Sequence, residues 1–184
     1  MDQTYHINKL AAYTAFDDLE LSHQQEMILF INEHHNFYNR TLEHGHVTGS
    51  AWITNPAYTH ALMLHHKKLD RWLQPGGHVE QESKVLETAL REAREESGIS
   101  DLRMINDDIF DLDIHTIPAN RKEGQHQHFD IRYLFEAALD AIPAISEESN
   151  DVRWFTLEEI ATINDDTSIQ RMIAKTIVLR DQMR

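Results

Sequence analysis

The most constrained part of this chain runs from Lys84 to Ser97. It contains no glycine or proline and is dominated by Ala, Leu, Glu, Lys and Arg, which enter a helix at least cost. Val85, Leu86, Ala89, Leu90 and Ala93 recur at three- and four-residue steps and predict a buried stripe. Ser83 is the expected N-cap, and Gly98 suits the left-handed position past the end. On that helix Glu92, Glu95 and Glu96 stand at i, i+3 and i+4, so their carboxylates converge on one face. Converging carboxylates repel unless a cation lies between them, and hard oxygen ligands suit Mg²⁺ or Mn²⁺. The ordinary alternative is a solvated face laced with ion pairs, and Arg91 is spaced to pair with both Glu87 and Glu95.

The flanks decide between these readings. Trp72-Leu73-Gln74-Pro75-Gly76-Gly77 leads in, and Arg91-Glu92-Ala93-Arg94-Glu95-Glu96-Ser97-Gly98-Ile99 closes the stretch. Residues 77–99 resemble the Nudix box, Gly-x5-Glu-x7-Arg-Glu-U-x-Glu-Glu-x-Gly-U, where U is a bulky aliphatic residue. Gly77, Arg91, Glu92, Glu95, Glu96, Gly98 and Ile99 all fall in register. Ala93 stands where a larger aliphatic is usual, and Ser83 replaces the first Glu.

The resemblance implies an α/β/α sandwich with a mixed sheet, hydrolysing a diphosphate bridge in a nucleoside diphosphate linked to another group. Glu92, Glu95 and Glu96 match the metal-binding glutamates of the pattern. Arg91 would orient these carboxylates, and Gly77 and Gly98 would let the backbone turn into and out of the helix. Serine at 83 loses a negative charge and cannot act as a base near neutral pH. Glu82 could replace it only if the turn there is still irregular, because one residue is about 100° round a helix. A general base is therefore expected outside the box. The acidic loop of residues 146–151 offers Glu148 first and Glu147 second, against the plain reading of a solvated loop.

Other candidates are weaker. Lys68 and Arg71 lie just ahead of the glycine pair and could meet phosphates, with Gly77 and His128 as further substrate contacts. Exposed basic residues after a strand are usually just solvated. Among thirteen histidines, His126 and His128 alternate with Asp130 and share a strand face, with His115 on a neighbouring strand. That raises zinc, but the ligand spacing is loose and there is no cysteine, so a polar sheet face or substrate contact is preferred. Trp72 and Tyr133 could stack a base, though such residues more often belong to the core.

The formal charge of −14 excludes a nonspecific nucleic-acid binder, so the expected partner is a small nucleotide-type diphosphate. No apolar run is long enough to span a membrane, and no basic-then-apolar stretch opens the chain, so a cytoplasmic enzyme is expected. Residues 1–42 read as a helical extension, with helices at 6–15 and from Ser22, its cap, to about 35. Met27, Ile28, Phe30 and Ile31 form an apolar stripe there. The extension could cap the site, form a homodimer contact or complete the core. Residues 43–184 read as the Nudix domain. Strands are expected at 47–54, 60–66, 109–117, 129–135 and 152–155, a polar loop at 121–124, and helices at 157–163 and 167–182.

Two other functions compete. A non-catalytic nucleotide sensor would not need three clustered carboxylates. A Nudix-fold isoprenyl diphosphate isomerase would imply a cysteine proton donor, which the chain lacks. The positions beyond the box where a Pro or Tyr sometimes marks Nudix subfamilies fall here at Ile114 and His115, and the nearest proline is Pro118, so no marker matches and substrate choice stays open.

Overall fold

The computed structural model describes residues 2–119 and 123–183. Two helices come first, α1 (Gln3–Ala12) and α2 (Asp18–Glu33). Both begin earlier than the periodicity suggests, because aspartates rather than Ser22 close their first turns. Asp2 accepts from the Tyr5 amide and Asp17 from the Glu20 amide. The stripe on α2 faces inward as expected, with Met27, Phe30 and Ile31 buried and Phe30 stacked on Phe129 at 4.0 Å.

Among the described residues seven strands follow, β1 (Gly45–Thr54), β2 (His60–His66), β3 (Arg71–Leu73), β4 (Gly76–His78), β5 (Arg103–Ile117), β6 (His126–Glu136) and β7 (Ser149–Thr156). Helix α3 (Val85–Ser97) lies between β4 and β5, and α4 (Leu157–Ile163) and α5 (Thr167–Gln182) close the chain. β1 runs parallel to β6 from Gly45↔Gln127 to Thr54↔Glu136, and β6 pairs antiparallel with β5. β1 and β2 touch only at Thr54↔Ala61 and then part. The gap is filled by β4 on β1 and β3 on β2, while β7 lies along the other edge of β2. The sheet therefore splits where Gly76 and Gly77 enter, opposite Ser50 and Gly49. The expected polar loop at 121–124 falls largely outside the described residues.

Alternation along β1 assigns its two faces. Val47, Ala51 and Ile53 join Leu10, Met27, Ile31, Val85, Leu86 and Ala89 in a core under α1, α2 and α3. Tyr133 is in that core too, so it is unavailable to stack a base. Trp52 faces the other way and packs with Met63, Leu134, Leu157, Ile160, Ile169 and Met172 under α4 and α5. Helices thus cover both faces of a mixed sheet. β5 begins six residues earlier than the hydrophobic pattern indicates, through Arg103, Asn106, Asp107 and Asp108. Its amides at Leu112 and Ile114 are met by Glu20 and His23 of α2, which covers a sheet edge that would otherwise stand open. Among the described residues, no helix is long and apolar enough to cross a membrane.

Candidate active site

The box helix starts one residue later than its sequence suggests. Lys84, with φ −137°, is the N-cap, and Ser83 lies outside the helix. The Ser83 amide and hydroxyl both donate to the Glu87 carboxylate, at 2.9 and 3.1 Å, so Ser83 is tied to Glu87 rather than capping α3. Glu87 is thereby occupied and does not pair with Arg91. At the far end Gly98 adopts φ 69°, the left-handed position that favours glycine.

Because the turn before α3 is irregular, Glu82 reaches Arg91 and pairs with its Nε. The same guanidinium donates through Nη1 to Glu92 (2.9 Å) and Glu95 (3.0 Å), and through Nη2 to the His78 carbonyl (2.8 Å). Arg91 is thus a hub that fixes two of the three glutamates and ties β4 to α3. A Cβ placed on Gly77 would lie 2.2 Å from Glu92 Oε1, so any side chain there would displace that carboxylate. Glu96 is buried and accepts the Gly76 amide at 2.9 Å. Glu95, with its side chain 60% exposed, faces solvent beside them.

Glu148 belongs to the loop ahead of β7. That loop is anchored by Lys67, whose amide donates to the Glu148 carbonyl (3.0 Å) and whose ammonium donates to the Glu147 carbonyl (2.7 Å). The Glu148 charge acts on both Glu92 and Glu96. Burial, chiefly, raises the Glu92 pKa against the pull of Arg91. Glu96 is pushed up to about 7, first by burial and then by Glu92, Glu148 and Glu95, with the Gly76 amide opposing. Burial does most of this, and the neighbouring carboxylates add to it. The donor set is all oxygen, the chemistry that a hard divalent cation takes, with Glu92 and Glu95 held on Arg91 and Glu96 on the Gly76 amide.

Lys68 and Arg71 do not join this group. Lys68 is exposed in the turn after β2, its amide on His66 Nδ1 (3.2 Å), and Arg71 points to Asp166 at 4.0 Å. The basic residue that meets the Glu148 loop is Lys67, which sequence reasoning passed over. Trp72 is half-buried against Phe155 and Arg153.

His128 lies on the α5 side of the sheet, in a cluster with His46 and His78 that the sequence did not reveal. Ligand nitrogens of these three all lie within 4.8 Å of one another. His126 stacks on His46 at 5.0 Å, and His115 pairs with His128 across β5 and β6. Burial holds His46 and His78 down at about 4 and His128 at about 2, so all three are neutral near pH 7. Asp130 turns away from the histidines into an ionic network. It accepts from Thr48 (2.9 Å), Ser50 (2.8 Å) and Arg132 (2.8 Å).

The comparisons with known proteins bear on this arrangement. The NUDIX domain family model matches residues 44–176. The chain belongs to the Nudix hydrolase family. In this Nudix protein the matched region begins one residue before β1 and ends within α5, and α1 and α2 precede it. A probable DHNTP pyrophosphohydrolase of Lactococcus lactis is 39% identical over 75 residues, covering 40% of this chain and 44% of that protein. The chain therefore matches less than half the length of that curated relative. An Ap4A hydrolase from C. elegans, in a binary complex, superposes with TM-score 0.59 at 20% identity, covering 74% of this chain and 98% of that one. The E. coli dihydroneopterin triphosphate pyrophosphohydrolase superposes with TM-score 0.55 at 16% identity, covering 72% and 94%. At such identities the two structures speak for the fold alone.

Proposed function

We propose that this Nudix protein hydrolyses a phosphoanhydride bridge in a nucleotide-type diphosphate, with Mg²⁺ or Mn²⁺ held by Glu92, Glu95 and Glu96. The observation that carries the reading is the crowding of acid at α3, where Glu82, Glu92 and Glu95 all pair with Arg91 and the buried Glu96 beside them is pushed up to about 7. The bound metal would neutralise phosphoryl oxygens and lower the pKa of a water. The protein's own part is placement. Gly77 leaves room for Glu92, the Gly76 amide aims Glu96, and Arg91 fixes the spread of Glu92 and Glu95. Glu148, on a loop fastened by Lys67, is the proposed acceptor of the water proton. Glu82 supplies Arg91 with a carboxylate from the turn that Ser83 leaves without one.

The test is release of phosphate or nucleotide from dinucleoside polyphosphates, nucleotide sugars, ADP-ribose, NADH and nucleoside triphosphates, with Mg²⁺ and with Mn²⁺. Metal-dependent turnover of at least one class is expected. Folded protein that turns over none of them would overturn the hydrolytic reading in favour of ligand binding alone.

A further inference from the structure

The histidine cluster has no part in the reading above. His46 is fully buried on β1, and both of its ring nitrogens lack a hydrogen-bond partner. Nε2 of His128 and Nε2 of His126 are likewise buried and unpartnered. His126 Nδ1 contacts the Gly124 carbonyl at 2.8 Å, which fixes its tautomer and leaves Nε2 with a free lone pair. Buried polar atoms without partners are rare and costly, and four in one place ask for a shared occupant. The rings come from three strands. His46 and His128 are direct partners in the β1–β6 register, and His78 lies beside them on β4. Ring centroids are 4.9 Å apart for His46–His128, 5.0 Å for His46–His78 and 5.1 Å for His78–His128.

We infer that His46, His78 and His128 form a second metal site, for a borderline divalent transition ion such as Zn²⁺. Imidazole suits zinc at about 2.0–2.1 Å, and a tetrahedral ion needs ligand nitrogens about 3.3 Å apart, within small side-chain rotations of this cluster. His126 stacks on His46 beside the three ligands, with the Gly124 carbonyl orienting its ring. An inorganic anion would instead need several imidazolium charges packed together away from water. The all-nitrogen set also separates this site from the all-oxygen set at α3, which suits Mg²⁺ or Mn²⁺. An ion here would pin the three-residue strand β4, and with it Gly76 and Gly77, to β1 and β6.

The test uses the full chain, free of any affinity tag, with excess Mg²⁺ to fill the carboxylates, titrated with Co²⁺ as a spectroscopic substitute for Zn²⁺. Saturable binding at one equivalent with the visible bands of four-coordinate cobalt is expected, weakened at least about tenfold in His78→Gln and in His128→Gln. Glu96→Gln should leave those bands unchanged. X-ray absorption on the wild-type complex should show three or four imidazole nitrogens, a result that does not depend on any variant folding. No saturable binding, an oxygen-only ligand shell, bands lost in Glu96→Gln but kept in both histidine variants, or calorimetric binding of inorganic phosphate with none of cobalt would each overturn the assignment.

Discussion

Two groups of charges sit on this fold, and they are built on opposite principles. On the α5 side of the sheet, Arg132, Arg171 and Lys175 are buried among Glu20, Asp111, Asp113 and Asp130. Arg132 meets Asp130 at 2.8 Å and Asp111 and Asp113 at 3.2 Å, while Arg171 holds Asp111 at 2.8 Å. Lys175 joins Glu20 to Asp111, at 2.5 and 2.7 Å. The surplus carboxylate is met by His115 and His23 on Asp113, whose pKa these partners and Arg132 hold far below the usual range although burial pulls the other way. That network pairs its charges internally, leaving Arg171 Nη1 without a hydrogen bond, 3.9 Å from Asp17. At α3 three carboxylates, Glu82, Glu92 and Glu95, share Arg91, and Glu96 beside them is pushed up instead of down. A buried ion cluster that balances internally ties elements together; one that does not balance invites a cation from outside.

Substitutions should separate the two clusters cleanly. Glu96→Gln removes a proposed metal ligand, so kcat/KM should fall by about 10³-fold with circular dichroism unchanged. A variant retaining more than about a third of wild-type kcat/KM would show that α3 needs no outside cation at this position. Asp111→Asn should do the reverse. It strands Arg171 and Lys175 without their shared carboxylate, and loss of one partner in a buried network costs about 3 kcal/mol. Thermal denaturation should show Tm lower by about 6–12 °C. Wild-type Mn²⁺ affinity in the surviving folded protein is expected, and a loss of affinity with Tm intact would merge the two clusters into one. Glu148→Gln ranks next, with kcat down about 30-fold and KM little changed, if its carboxylate takes the water proton.

Sequence reading reached what is local and missed what pairing assembles. The α3 stripe, the Gly98 turn and the bounds of α4 and α5 were all legible, because propensity and caps decide them within a few residues. Helix starts failed where two candidate caps compete. Asp17 won over Ser22 because its carboxylate reaches the Glu20 amide while Glu20 itself is drawn inward to Lys175 and Leu112. Ser83 was misread because Glu87, four residues on, captures both its donors. The first part of β5 was hidden by its polar residues, which pattern as a loop. His46, His78 and His128 could not be grouped beforehand, since only the β1–β6 and β1–β4 registers bring them together. The ionic network was invisible for the same reason, its members spanning α2, β5, β6 and α5.

The smallest effect is also the sharpest check on the contrast between the clusters. In metal-free protein the Glu96 carboxyl titrates at about 7 when folded, against an ordinary unfolded value of about 4.5. The folded state therefore holds the extra proton between those values, so this group lowers stability as pH rises from about 4.5 to about 7. The penalty is complete above that window and absent below it. Glutamine carries no such charge but can still accept the Gly76 amide. With a chelator present, Glu96→Gln should gain about 1–2 kcal/mol over wild type at pH 8, read from urea midpoints, and the gain should shrink towards zero at pH 5. Saturating Mn²⁺ should reverse the order at pH 8, because the ion stabilises only the chain that binds it tightly. A variant less stable than wild type at pH 8 without metal would mean that Arg91 and the Gly76 amide already balance the carboxylates, and the distinction between a closed and an open cluster would fail.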